Sequence, residues 1–206
     1  MKRLFPISLL LMISMISCDI GNGGNAGKDV AVITLHLQPY NGFPQGQLEK
    51  LQSDVQHCLD TLIPELKFDV KLRDEINLPA SCYYKPRNRY RADSIIRYQR
   101  TLDKNNYIMG VMSQDISTTV HNVEDWGVLG LSFRPGKSAV VSNYRVKNKS
   151  LFYKVLVHEF LHNLGLPHCS HDDRSCYICD ANKRPQLEKQ TRLCPTCKAK
   201  LLRLRK

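Results

Sequence analysis

The run from Val157 to His168, VHEFLHNLGLPH, constrains this chain more than any other stretch. It has the form H-E-x-x-H-x-x-G-x-x-H. On a helix His158 and His162 stand four residues apart and share one face, so their imidazoles can converge on one ion. Glu159 follows the first histidine, where its carboxylate reaches a water held by that ion. Gly165 lies one turn after His162; glycine takes positive φ at little steric cost, so it ends the helix and turns the chain back. The return delivers His168 as a third ligand. Three protein nitrogens plus one open position is the catalytic arrangement for zinc, with Glu159 as general base. Val157, Phe160, Leu161 and Leu164 recur at i, i+3, i+4 and i+7, an apolar stripe that packs the helix and leaves the histidine face to a cleft.

The remaining pattern predicts one compact α/β domain. A length of 206 residues with 42% hydrophobic content supports a single core. Val30 to Leu37 is β-branched and apolar, a buried strand. Gln47 to Leu62 places Leu48, Leu51, Val55, Leu59 and Leu62 at helical spacing, and Pro64 stops it. Leu66 to Leu72 alternates as a half-buried strand. This β-α-β opening predicts a mixed, mostly parallel sheet. Arg91 to Leu102 is a second helix and Tyr107 to Met112 another strand. Asn77 to Tyr90 reads as irregular, and Ser113 to Gly127 as polar loop. Leu129 to Phe133 and Ala139 to Ser142 form a hairpin or sheet edge facing the cleft.

The N-terminus predicts export. Met1-Lys2-Arg3 precedes thirteen apolar-rich residues, too short to span a bilayer but suited to a signal. The segment ends Met15-Ile16-Ser17-Cys18 and resembles the lipobox of bacterial lipoproteins, with Met15 where Leu is usual. Residues 1–17 are then a removed leader and Cys18 is lipidated; ordinary cleavage nearby is the competing outcome. Residues 18–28 form a Gly/Asn-rich tether, and 29–206 the folded domain. The expected location is the bacterial cell envelope, on a membrane through Cys18. The formal charge is +11, lowered by two when Lys2 and Arg3 leave. Much of it lies in Lys183, Arg184, Lys198, Lys200, Arg203, Arg205 and Lys206. On an exported protein these read as solvated surface, with no nucleic-acid partner expected. A monomer acting on peptides is expected.

Cysteines crowd behind the histidines: Cys169, Cys176, Cys179, Cys194 and Cys197. From spacing, Cys176-x2-Cys179 and Cys194-x2-Cys197 make a tetrathiolate zinc set, closed and therefore structural. Disulfides compete in an oxidising compartment. Cys58 reads as packed on the first helix, with a Cys58–Cys82 disulfide as an open alternative.

HEFLHNLGLPHC, Cys176 and the later CPTC resemble the archaemetzincins, a metzincin-clan metallopeptidase family. So do Tyr83-Tyr84-Lys85-Pro86-Arg87, Arg89 to Asp93, Gly130-Leu131 and Ala139 to Ser142. The resemblance covers roughly residues 30–200. It implies a metzincin-like fold, a C-terminal cysteine part over 169–206, peptidase activity and two zinc ions. One ion would be catalytic on His158, His162 and His168, and the other structural on Cys169, Cys176, Cys194 and Cys197, in place of the set with Cys179 that spacing favours. The chain departs from the family in a longer gap from Cys169 to Cys176 and in Ile178, which stands where a methionine is expected under the zinc ligands. A non-catalytic zinc module that binds an anionic partner through the basic tail is the alternative function.

Overall fold

The computed structural model describes residues 31–171, 173–180 and 186–205. The leader, Cys18, the tether, Lys183, Arg184 and Lys206 lie outside the described residues. The elements run β1 (Val32–Pro39), α1 (Gln45–Leu62), β2 (Lys67–Leu72), β3 (Tyr83–Tyr84), β4 (Arg89–Arg91), α2 (Ala92–Leu102), β5 (Tyr107–Met112), β6 (Ile116–Val120), β7 (Val123–Val128), β8 (Gly130–Ser132), β9 (Ser138–Ser142), α3 (Phe152–Asn163) and α4 (Pro195–Leu204).

The main sheet has the order β2-β1-β5-β9-β8. All its pairings are parallel except β8 with β9, which is antiparallel and forms the predicted edge hairpin. Side chains of a strand alternate between faces, and the strands obey this. Leu35, Leu37, Met109, Val111, Ala139 and Val141 join one apolar cluster with Leu48, Leu51, Val55 and Leu59 of α1 and Val157, Phe160 and Leu161 of α3. Val140 and Met112 face the other way, onto Ala92, Ile95 and Ile96 of α2. The metal-motif helix therefore lies beside α1 on one face, with α2 on the other. Phe160 is fully buried and meets Phe68 and Tyr107 edge-on, with ring centroids 6.2 and 5.5 Å away.

Three features differ from expectation. Residues 113–127 are not loop: β6 and β7 form an antiparallel hairpin in a second sheet of order β3-β4-β6-β7. The hairpin turns tightly through His121, at φ 52°, the left-handed conformation that two-residue turns demand. Its strands looked polar because Ser117 and Thr118 occupy buried positions. The stretch 77–90 contributes the short strands β3 and β4 to the same sheet. The basic tail is not merely solvated surface, since residues 195–204 form α4, with Leu201 fully buried. Lys198 pairs with Glu65 at 2.8 Å, and Arg205 donates to the Leu164 carbonyl and the Tyr107 hydroxyl at 2.5 and 3.0 Å. Cys58 packs against the first apolar cluster as expected; Cys82 belongs to the second, and both are free thiols, so the alternative disulfide does not form.

Candidate metal centres and active-site cavity

Helix α3 brings His158 and His162 onto one face, as their spacing requires. The helix ends in a Schellman motif. Leu166 N donates to Leu161 O at 3.1 Å and Gly165 N to His162 O at 2.9 Å, with Gly165 at φ 103°; only glycine takes that conformation cheaply. The turn exposes the Leu166 carbonyl to the His162 ring and carries the chain on to His168. One potential ligand atom from each of His158, His162 and His168 lies within 4.8 Å of the others.

The outer nitrogens define the tautomers. His158 Nδ1 lies 2.7 Å from Tyr177 O and His162 Nδ1 lies 2.7 Å from Leu166 O. A carbonyl only accepts, so both Nδ1 atoms carry the proton and both Nε2 atoms present lone pairs. Those two Nε2 atoms are 3.1 Å apart. Burial pushes the pKa of each ring down to about 4, and the neighbouring His158 adds to the effect at His162. Two buried neutral imidazoles with facing lone pairs repel unless a cation sits between them, so the donor set fits zinc. His168 Nδ1 stands 3.8 Å from Asp180.

Glu159 is buried beside these rings. Burial raises its pKa, while a hydrogen bond from Ser132 Oγ to Oε2, at 2.6 Å, opposes the rise. That bond leaves Oε1 without a hydrogen-bond partner among the described residues. The adjoining edge strand leaves room for the carboxylate only because residue 130 is glycine: a Cβ there would come within 2.7 Å of Glu159 Cγ. Ser132 escapes sequence analysis because nothing local ties it to Glu159; the contact exists only once β8 folds over α3. The opposite end of α3 is anchored to the same hairpin, where Asn163 Nδ2 donates to Phe133 O and Ser138 O at 2.9 and 3.1 Å.

The structure brings Cys169, Cys176, Cys194 and Cys197 together, with their sulfurs within 4.8 Å of one another. Cys179, which spacing favoured, is not in the group; it lines the histidine cavity instead. The cause is folding of the segment, in which Cys169 N donates to Ile178 O at 2.8 Å and Tyr177 N to Arg192 O at 2.8 Å. Cys169 and Cys194 sulfurs are 3.7 Å apart. That is far beyond a disulfide bond of about 2.05 Å, and it matches the edge of about 3.8 Å in a tetrahedron with zinc–sulfur bonds near 2.3 Å. Backbone amides point at the sulfurs: Cys194 N at Cys176 Sγ (3.4 Å) and Cys197 N at Cys194 Sγ (3.5 Å). At Cys194 burial works against the thiolate, but the bonds from Cys197 N and from the thiols of Cys197, Cys169 and Cys176 prevail and its pKa is lowered. Burial pushes Cys176 up to about 11. Ile178 is fully buried between Tyr177, whose carbonyl holds His158, and Cys179 at the cavity wall. Tyr144 is largely exposed, 60%, and does not line the cavity.

The histidines and Glu159 open into a cavity of about 820 Å3, whose walls include Trp126, the edge strand β8 and Leu187. Lys154, buried one turn before His158 on α3, donates to Leu187 O and Gln190 O at 2.9 and 2.6 Å and so fixes that wall.

The fold and the histidine site together support the class of zinc metallopeptidases. Comparison with known proteins narrows it. No family model matches the chain. A curated archaemetzincin of Nanoarchaeum equitans is 27% identical over 147 residues, covering 71% of this chain and 81% of its own length. One of Haloarcula marismortui is 27% identical over 150 residues, covering 65% and 83%. Among solved structures, archaemetzincin of Methanopyrus kandleri superposes with a TM-score of 0.68 at 24% identity, covering 87% of this chain and 98% of that one. The Archaeoglobus fulgidus archaemetzincin, complexed with malonate, gives 0.65 at 24% identity, covering 82% and 99%. The chain is thus similar to archaemetzincins in sequence and shares their fold.

The histidine pKa values carry a pH prediction. An unfolded histidine titrates near 6.5 and these two titrate near 4 in the folded protein. Below 6.5 the unfolded state therefore binds more protons, and stability falls as pH falls through that window. The melting temperature of metal-stripped protein should drop between pH 6.5 and 4, and drop less in His158→Asn. An identical profile in the variant contradicts the assignment.

Proposed function

We propose that the chain is a zinc-dependent peptide hydrolase with two zinc ions, catalytic on His158, His162 and His168 and structural on Cys169, Cys176, Cys194 and Cys197. The observation that carries this is the pair of neutral Nε2 atoms facing each other at 3.1 Å beside a buried carboxylate. Bound zinc supplies a water acidified to a pKa of about 7 and a Lewis acid for the scissile carbonyl. The protein's own groups do the rest. Ser132 fixes Glu159 through Oε2, leaving Oε1 to accept the proton of the attacking water. Glu159 then returns that proton to the leaving amine, as a general base that becomes a general acid. Burial raises its pKa, which favours holding the proton between these two steps.

Strand β8 is the edge of the main sheet and lines the cavity. Its outer side suits an extended peptide added as a further strand, which positions the scissile bond over Glu159. The mature protein acts as a monomer on the bacterial envelope, tethered through Cys18; the leader pattern supports this. The alternative of an anion-binding module is weakened because Lys198 and Arg205 of the tail are engaged internally.

Glu159→Gln should keep full zinc content and lose hydrolysis of a peptide library by at least about a hundredfold. Parent-like turnover in that variant contradicts the mechanism. Cys18→Ser should move the protein from the membrane fraction to the soluble fraction of expressing bacteria; unchanged membrane association removes the lipid anchor.

A further inference from the structure

Arg145 has no part in the chemistry above, yet it lines the same cavity as His158 and Glu159, beside Trp126, Gly127 and Val128 of β7. Its guanidinium is gripped at two points. Nε lies 2.6 Å from Asp115 Oδ1 and Nη2 lies 2.7 Å from Oδ2. Asp115 is buried and is shared with Arg89 Nε at 2.8 Å. Arg89 Nη1 reaches Asp125 at 3.0 Å, and Arg87 approaches the same carboxylate at 3.8 Å. Three guanidiniums thus share two carboxylates, and the group keeps a net positive charge. Arg145 Nη1 has no partner among the described residues. The planar fork is rigid, so gripping Nε and Nη2 also fixes where Nη1 stands. The guanidinium lies over Gly127, where a Cβ would come within 2.3 Å of its Cζ. Arg134 adds a second cation to the wall; the acidic groups there are Glu159, already assigned to catalysis, and Asp180 beside His168.

We infer that Arg145, held by Asp115, is a carboxylate-binding subsite of the active-site cavity, so that preferred substrates carry an acidic side chain or a free C-terminal carboxylate near the scissile bond. This rests on the peptidase reading. The Arg145 side chain is 36% exposed at the rim of the cavity, open to an arriving carboxylate; its hydrogen bond to that group is charge-assisted, and the guanidinium is already ordered, so little entropy is lost when it binds. Trp126 and Val128 supply the apolar contact for the rest of that substrate residue.

The test uses the zinc-loaded full chain and four peptides of one sequence: Glu or Gln flanking the scissile bond, each with a free or an amidated C-terminus. The carboxylate-bearing member of one pair should be favoured in kcat/KM by roughly ten- to a hundredfold, and which pair shows it identifies the source of the carboxylate. Arg145→Met should collapse the ratio towards one. Gly127→Ala should do so too, because the obstacle it adds meets the far end of a flexible side chain, which yields while the fold stands. Equal rates for all four peptides in the parent, or a ratio that survives both substitutions, overturns the subsite. If no peptide is cleaved, the peptidase reading fails instead. Dissociation constants of the same peptides on Glu159→Gln protein then decide the subsite by the same ratios.

Discussion

The hydrogen bond from His158 Nδ1 to the Tyr177 carbonyl ties the metal-motif helix to the cysteine segment that follows it. On one side is a buried helix, held by Phe160 and its neighbours between the main sheet and α1. On the other is the cysteine segment, which has little regular structure of its own. The bond sets the tautomer of His158 and hence the direction of its free lone pair. Its acceptor belongs to the residue directly after Cys176. The four-sulfur cluster therefore stands directly beside the carbonyl that orients the first histidine, and Cys169 directly follows His168. The histidine trio and the cysteine cluster are separate in chemistry and continuous in structure.

The same economy governs the other wall. Glu159 is oriented by Ser132 and accommodated by Gly130, both from the edge strand that lines the cavity. Asn163 and the Schellman turn fix the far end of the helix. Glu159 is thus placed by a short strand hydroxyl, and His158 and His162 by backbone carbonyls, with no long flexible side chain between. That is the arrangement in which electrostatic effects cost least reorganisation.

Local periodicity made much of this legible. The H-E-x-x-H-x-x-G-x-x-H spacing names the histidine trio because helix geometry and a glycine turn are short-range physics. The β-α-β opening and the β8–β9 hairpin follow from the same kind of pattern. The second sheet was hidden because Ser117 and Thr118 fill buried positions that usually carry apolar side chains. Spacing alone chose Cys179 over Cys169, since distance along a chain ignores how residues 169–178 fold back through the Cys169–Ile178 bond. Ser132 and Arg145 were invisible for a related reason: each acquires its role from a strand or turn that arrives from elsewhere in the sequence. Resemblance to the archaemetzincins corrected the cysteine set where spacing could not.

The account's central claim is that two metal sites of different character share one scaffold. The most direct measurement is the zinc content per chain of purified protein, parent beside His158→Ala. Two ions in the parent falling to one in the variant is the predicted result. A single ion in the parent, or two retained after loss of His158, would contradict it.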